Sequence, residues 1–131
     1  MLFRSTTLAD VEDMCRARAE DQGLEIVFDQ SNSEREIIGW IHDAIKDASG
    51  IIIHPAAFTH TSLAILDALN MVKQPILELH ISNPLNRESF RHHSYVTFAA
   101  TGLIRGLSVY GYALAVDAMA NLLNDIPSDS E

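Results

Sequence analysis

Histidines that follow apolar runs are the residues of this chain best suited to proton chemistry. His54 comes directly after three isoleucines, and His80 ends a second apolar segment that starts at Ile76. Such runs are typical of strands buried on both faces, and polar residues just past the carboxyl ends of these strands lie where open α/β sheets bind ligands. An imidazole gains or loses a proton near neutral pH. We therefore predict one shared pocket at the two strand ends.

Glu78 lies two residues before His80, so that both side chains share one face of a strand. A carboxylate beside an imidazole fixes its tautomer and raises its pKa, which suits a general acid. The alternative is a strand-end histidine that is hydrogen-bonded to a loop, with Glu78 in solvent. The spacing alone is more typical of this structural role.

Further polar residues cluster near the same strand ends. His60 follows His54 across Pro55, and each of these loop histidines taken alone is more typical of a structural hydrogen bond than of a ligand contact. Ile81 and Ser82 follow the second strand, where successive backbone N–H groups either bind an anion or form a plain turn.

Arg91 and Asp67 are two more charged candidates. Arg91 offers a fixed cation for a carboxylate or a hydroxyl-rich ligand. His92 and His93 come next, but adjacent side chains point in different directions on a regular element, so we expect no metal there. Asp67 lies seven residues beyond His60 and on spacing alone is a surface charge.

Composition limits the class of protein. With 131 residues, 47% of them hydrophobic and 21% charged, we expect one globular domain over 1–131 whose tail frays from about residue 125. A net charge of −9 argues against a nucleic-acid partner, which needs clustered Lys and Arg. The single Cys15 excludes an internal disulfide framework. No stretch approaches the roughly 20 apolar residues of a membrane helix and no signal peptide is evident, so we expect a cytoplasmic protein.

Apolar periodicity and turn residues divide the chain into elements. The predicted order is a helix at about 7–22, opened by a capping box, a strand at 24–28, a helix with an apolar face over 37–45, a strand at 51–53, a helix from about 63, a strand at 76–80, a strand at 99–107 and a closing helix at 112–123. This alternation predicts a flavodoxin-like, doubly wound parallel sheet with helices on both faces. Such folds normally begin with a strand, whereas the predicted elements of this chain begin with a helix. We therefore expect the first strand to be missing, which leaves two unpaired edges inside the sheet.

Several motifs, taken in order, resemble those of type II 3-dehydroquinate dehydratase, a shikimate-pathway enzyme with a flavodoxin-like fold. The matching segments are residues 28–34 (FDQSNSE), 41–42 (IH), 55–62 (PAAFTHTS), 78–83 (ELHISN), 87–95 (RESFRHHSY) and 102–104 (GLI), together with Gly106. They extend the resemblance from about residue 6 to residue 123.

The resemblance implies a reaction and a set of site residues. The family removes water from 3-dehydroquinate by anti elimination: a tyrosine takes the C2 proton, an enolate forms, and a histidine protonates the departing C1 hydroxyl. His80 resembles this proton donor, and Glu78 resembles the partner that orients it. The residues that resemble substrate-binding groups are His54, His60, Asp67, Ile81, Ser82 and Arg91. The family uses no metal or organic cofactor and forms trimer-based dodecamers, in which Asp67 resembles a residue that reaches a neighbouring subunit's site.

The chain departs from the family at two places. Phe3 occupies the position of the catalytic tyrosine, and a phenyl ring has no ionisable oxygen. His54 and Ala56 stand where the family has Asn and Gly. Two functions therefore remain open. The chain is either a type II dehydratase of reduced activity, in shikimate formation or quinate use, or an inactive relative that binds a small carboxylate or serves as a scaffold.

Overall fold

The computed structural model describes residues 6–56, 62–82 and 94–125. The elements within these ranges are α1 (Leu8–Glu20), α2 (Glu34–Asp47), β1 (Ile51–Ile53), α3 (Leu63–Asn70), β2 (Ile76–His80), a short 3-10 helix (Val96–Phe98), β3 (Gly102–Arg105) and α4 (Tyr110–Asn124). Phe3, His60, Arg91 and the tail beyond residue 125 lie outside the described residues. None of the helices in the described ranges is long and apolar enough to cross a membrane.

The three described strands form one parallel sheet in the order β1, β2, β3. Ile53 of β1 pairs with Glu78 of β2, and His80 of β2 pairs with Arg105 of β3. Every residue of β2 is buried, because β2 is flanked by a strand on each side and covered on both faces. The predicted parallel α/β architecture is confirmed, and it brings the carboxyl ends of the strands to one edge.

Helices cover both faces of the sheet. On one face Ile53 and Ile76 pack in a core cluster with Ile41 of α2 and with Ile65 and Leu69 of α3. On the other face Leu77 packs against Ala115 and Met119 of α4, with Ile52 and Ile104 beside them. Helix α1 then packs on α4 through Val11, Cys15 and Ala19, which cluster with Val116. Alternation along each strand thus divides the apolar side chains between two cores.

The strand predicted at 24–28 is wrong. These residues belong to no strand or helix, although Leu24, Ile26 and Phe28 pack against the α1 cluster. Their neighbour Val27 is 89% exposed, and the Ile26 carbonyl accepts a hydrogen bond from the Arg16 guanidinium. A strand needs a neighbour to pair with its backbone, and no described strand lies alongside this segment.

The strand predicted at 99–107 is shorter in the structure. Only Gly102–Arg105 is a strand, because Gly106 leaves the ladder at φ +77° and Ala99 caps the 3-10 helix Val96–Phe98. The strand Ile76–His80 and the capping box of α1 are confirmed, the latter by reciprocal hydrogen bonds between Thr7 and Asp10.

Candidate active site

A buried acid and base meet at the end of β2. The Glu78 side chain is fully buried, His80 is 5% exposed, and Glu78 Oε2 lies 2.5 Å from His80 Nε2. Strand alternation places both side chains on the same face, as predicted. A carboxylate in contact with an imidazole nitrogen fixes the tautomer of the ring.

Two hydroxyl groups complete the surroundings of Glu78. Ser94 Oγ donates to Glu78 Oε2 at 2.9 Å, and Thr97 Oγ1 donates to Oε1 at 2.6 Å. Burial on its own would raise the pKa of the Glu78 carboxyl, but the hydrogen bonds from His80, Thr97 and Ser94 together outweigh it and lower the pKa. Glu78 therefore stays a carboxylate and holds the His80 ring in one orientation.

His54 lies beside this pair, directly after β1. The ring centroids of His54 and His80 are 6.4 Å apart, and the two rings are nearly perpendicular at 89°. His54 Nδ1 lies 2.9 Å from the hydroxyl oxygen of Tyr112 on α4. Burial, and after it the positive charge of His80, lower the pKa of His54. The neutral form of His54 is therefore favoured at this edge.

Arg105 adds a cation at the same edge. It ends β3 and is the register partner of His80, so the two side chains share one face of the sheet. Its Nε atom is buried and has no hydrogen-bond partner among the residues that the structure describes. A permanent charge therefore lies next to the Glu78–His80 pair.

Comparison with known proteins identifies the family. A sequence model of the family Dehydroquinase class II matches residues 1–120. The chain belongs to this family. It is 56% identical to the 3-dehydroquinate dehydratase 2 of Agrobacterium fabrum over 123 residues, which cover 94% of this chain and 84% of that protein. It is 50% identical to the 3-dehydroquinate dehydratase of Phenylobacterium zucineum over 92% of this chain and 83% of that one.

Solved structures of class II dehydroquinases share the fold. The type II dehydroquinase of Propionibacterium acnes has a TM-score of 0.86 at 42% identity, with 90% of this chain and 87% of that chain covered. A 3-dehydroquinate dehydratase-like protein of Bifidobacterium longum has a TM-score of 0.77 at 37% identity, with 93% of each chain covered. At these identities the similarity supports common ancestry as well as a common fold.

The dehydroquinase resemblance implied eight site residues, and the structure places some of them together. Glu78, His80 and His54 form one cluster. Ile81 and Ser82 follow it directly, with Ser82 exposed, and the Ile81 carbonyl accepts a hydrogen bond from the Ser108 N–H.

The other three implied residues do not join this cluster in the described structure. Asp67 is exposed on α3 and makes no hydrogen bond or ion pair to Glu78 or His80. His60 and Arg91 lie outside the described residues. In the ranges that the structure covers, no group of three or more His, Cys, Asp or Glu side chains could hold a metal ion.

Four residues of this candidate site have no site role in the sequence analysis. Tyr112 lies in the predicted closing helix and Arg105 in the predicted strand at 99–107. No local pattern marks Ser94 or Thr97 as site residues. Ser94 and Thr97 could have been expected from the sequence. Glu78 lies inside a buried strand, where a carboxylate needs hydrogen-bond donors from elsewhere in the chain, and hydroxyl residues shortly before the next strand are the natural candidates.

Proposed function

We propose that this chain binds 3-dehydroquinate and removes water from it to give 3-dehydroshikimate, with His80 as the proton donor and Glu78 as the residue that orients it. The buried Glu78–His80 pair at the carboxyl edge of the sheet carries this proposal. A histidine that is oriented by a buried carboxylate can act as the general acid that protonates a departing hydroxyl group.

The steps of the dehydration require the kinds of groups that this site contains. The C3 ketone acidifies the C2 proton, whose removal forms an enolate; the C1–O bond then breaks and the hydroxyl leaves as water after taking a proton from His80. An acid, a base and stabilisation of the enolate charge are sufficient for these steps. We propose that the backbone N–H groups of Ile81 and Ser82 bind the substrate carboxylate.

The remaining contacts of the substrate stay proposals as well. Arg91 is proposed to bind ring hydroxyls, and His54 and His60 to contact the ring. Asp67 is proposed to act from a neighbouring subunit of a trimer-based assembly. One cytoplasmic domain is proposed to carry all of these residues.

Phe3 at the position of the catalytic tyrosine lowers the rate of dehydration that we expect. General-base catalysis is typically worth about 10²–10⁴-fold, so a site with Phe at the tyrosine position is expected to be slower by about this factor unless another residue takes its place. Phe3 also supports the second candidate function, an inactive relative that binds a small carboxylate.

The deciding experiment is a dehydration assay. The purified chain is mixed with excess 3-dehydroquinate, and the conjugated enone of the product is followed by its absorbance. We expect turnover above the uncatalysed rate and a loss of about 10²-fold or more in His80→Asn, whose amide can still donate to Glu78.

His42→Asn is the matched control, because His42 is exposed on α2. Its turnover should equal that of the unmodified chain. Unchanged turnover in His80→Asn would exclude His80 as the acid. Binding of 3-dehydroquinate by calorimetry without any turnover would favour the inactive relative.

A further inference from the structure

We propose that His54 is the general base of the dehydration, and that Tyr112 is the residue that positions it. This inference rests on the proposed function and assigns the proton acceptor that Phe3 cannot provide. It makes His54 and His80 an acid–base pair supplied by two adjacent strands.

The geometry of the sheet supports the pairing. His54 follows β1 and His80 ends β2, and the two strands are hydrogen-bonded neighbours. Their ring centroids are 6.4 Å apart. In an anti elimination the proton and the hydroxyl leave from adjacent carbons but from opposite faces of the ring, so the base and the acid have to reach the same part of the substrate from two sides. His54 is half-buried and is therefore partly accessible.

The surroundings of the two histidines separate their roles. His80 contacts the Glu78 carboxylate. His54 has no carboxylate partner among the described residues, and burial together with the charge on His80 lowers its pKa. Two titratable groups with such different surroundings are the usual arrangement of an acid and a base in one site.

Tyr112 determines which nitrogen of His54 can act. If Nδ1 carries the proton and donates to the Tyr112 hydroxyl oxygen, Nε2 keeps a free lone pair and can accept the C2 proton. Burial, and after it the Cys15 thiolate charge, raise the pKa of Tyr112, so this phenol stays protonated and is unsuited to be the base. The proposal therefore requires the Nδ1–H tautomer of His54.

His54 and His80 together account for every proton that moves in the reaction. His54 Nε2 takes the C2 proton, the C–H electrons form the enolate, and collapse of the enolate forms the C1=C2 bond as the C1–O bond breaks. His80 gives its proton to the leaving hydroxyl, which departs as water. The cycle ends with His54 as an imidazolium, protonated on both nitrogens, and His80 as a neutral imidazole with one N–H. Transfer of one proton from His54 to His80 through a water restores both.

Other charged groups at this edge define the pH dependence. Tyr112 faces His54 from α4, and Cys15 of α1 lies near Tyr112. His80 faces His54 from β2 and contacts Glu78. Arg105 of β3 lies beyond His80. Burial, and after it the positive charge of His80, disfavour the charged form of His54. We therefore expect the acidic limb of kcat to lie below the ordinary histidine pKa of about 6.5.

The first test separates the base from the acid. The His80→Asn variant is placed in D2O with 3-dehydroquinate, and NMR follows deuterium uptake at C2. Proton removal by His54 does not need His80, so we expect exchange above the uncatalysed rate while dehydration is blocked. The double variant His54→Asn/His80→Asn should lose this exchange by about 10²-fold or more. Equal exchange in both variants would overturn the proposal.

The second test uses turnover and binding. His54→Asn should lower kcat by about 10²-fold or more and abolish the acidic limb, with the Kd of 3-dehydroquinate changed by less than about threefold. Tyr112→Phe should lower kcat by about 3–10-fold and move that limb to lower pH, because the protonated ring loses its acceptor. Tyr110→Phe, an exposed neighbour on α4, is the control.

The outcomes distinguish this inference from the proposed function. Absence of dehydration by the unmodified chain would contradict both. Dehydration that persists in His54→Asn at an unchanged kcat would contradict the role of His54 alone. Nitrogen chemical shifts of His54 that report the Nε2–H tautomer in the unmodified chain would also contradict it, whatever the activity.

Discussion

At the scale of residues, the site depends on a charge held inside the protein. A buried carboxylate is costly unless its oxygens are hydrogen-bonded, and both oxygens of Glu78 are. Oε2 accepts from His80 and Ser94, and Oε1 accepts from Thr97. The same contacts that make Glu78 tolerable in the core also keep it ionised beside His80. The stability of the fold and the proposed proton donation by His80 therefore depend on one group.

Glu78→Gln should weaken folding in a pH-dependent way. The folded pKa of Glu78 lies below its ordinary value of 4.5, so its contribution is present above that pH and is lost as the pH falls through the folded pKa. We expect Glu78→Gln to lower the free energy of unfolding by about 3 kcal/mol at pH 7. The difference from the unmodified chain should shrink in acid. Urea denaturation followed by circular dichroism between pH 7 and pH 3 measures both effects.

The exposed Glu25→Gln variant is the control for this experiment. Its free energy of unfolding should follow that of the unmodified chain at every pH. A Glu78→Gln difference that stays constant down to pH 3 would show that the charge of Glu78 does not contribute to stability.

At the scale of elements, the strand ends and their turns present the site. Parallel strands deliver His54, His80 and Arg105 to one edge, and the chain must then turn sharply away. After β1 this turn places Ala56 at φ +51°, a left-handed conformation. An L-residue in that region costs roughly 1–2 kcal/mol relative to the right-handed one. The turn that holds His54 is therefore strained in this chain.

Ala56→Gly should relieve this strain. Glycine adopts positive φ without a Cβ clash but loses more freedom on folding, so we expect a net gain of about 0.5–1 kcal/mol in the free energy of unfolding. Chemical denaturation measures it. Ala17→Gly, on the exposed side of α1, is the matched control and should lose about 1 kcal/mol. A loss of similar size in Ala56→Gly would show that the left-handed turn is not strained.

At the scale of the whole molecule, the proposed assembly gives a role to Asp67. Asp67 is exposed on α3 and, among the described residues, makes no hydrogen bond or ion pair to Glu78 or His80. The proposed trimer-based assembly would bring an Asp67 from one subunit to the site of the next. This arrangement makes each site depend on two copies of the chain.

Mixed oligomers should reveal shared sites. Asp67→Asn alone is expected to lower turnover by about tenfold or more, since a hydrogen bond to a charged group is lost. When Asp67→Asn and His80→Asn chains are refolded together, some sites combine an intact His80 with a neighbour's intact Asp67. The mixture should then exceed the mean turnover of the two separate variants. Analytical ultracentrifugation establishes the size of the assembly.

A second mixture provides the control. Glu78→Gln and His80→Asn alter the same site of the same subunit, so refolding these chains together should restore nothing. Recovery that is equal in both mixtures, or absent from both, would contradict a contribution of Asp67 to a neighbouring site.

Local sequence determined the features that depend on near neighbours. Strand periodicity placed Glu78 and His80 on one face of β2, and the capping box at Thr7 defined the start of α1. The parallel α/β class followed from the alternation of elements. These predictions succeeded because side-chain direction along a strand and the backbone donors of a first helical turn are decided within a few residues.

Only the tertiary structure decided the features that depend on distant residues. The segment 24–28 has the composition of a strand, but pairing requires a neighbouring backbone, and the described structure supplies none. Glu78 meets Thr97 across 19 residues of sequence, and His54 meets Tyr112 across 58. No local pattern encodes such contacts, because they form only where the sheet and its helices bring separate segments together. The sequence by itself thus located the histidines and the carboxylate beside His80. The fold decided that Ser94 and Thr97 donate to that carboxylate and that His54 meets a phenol.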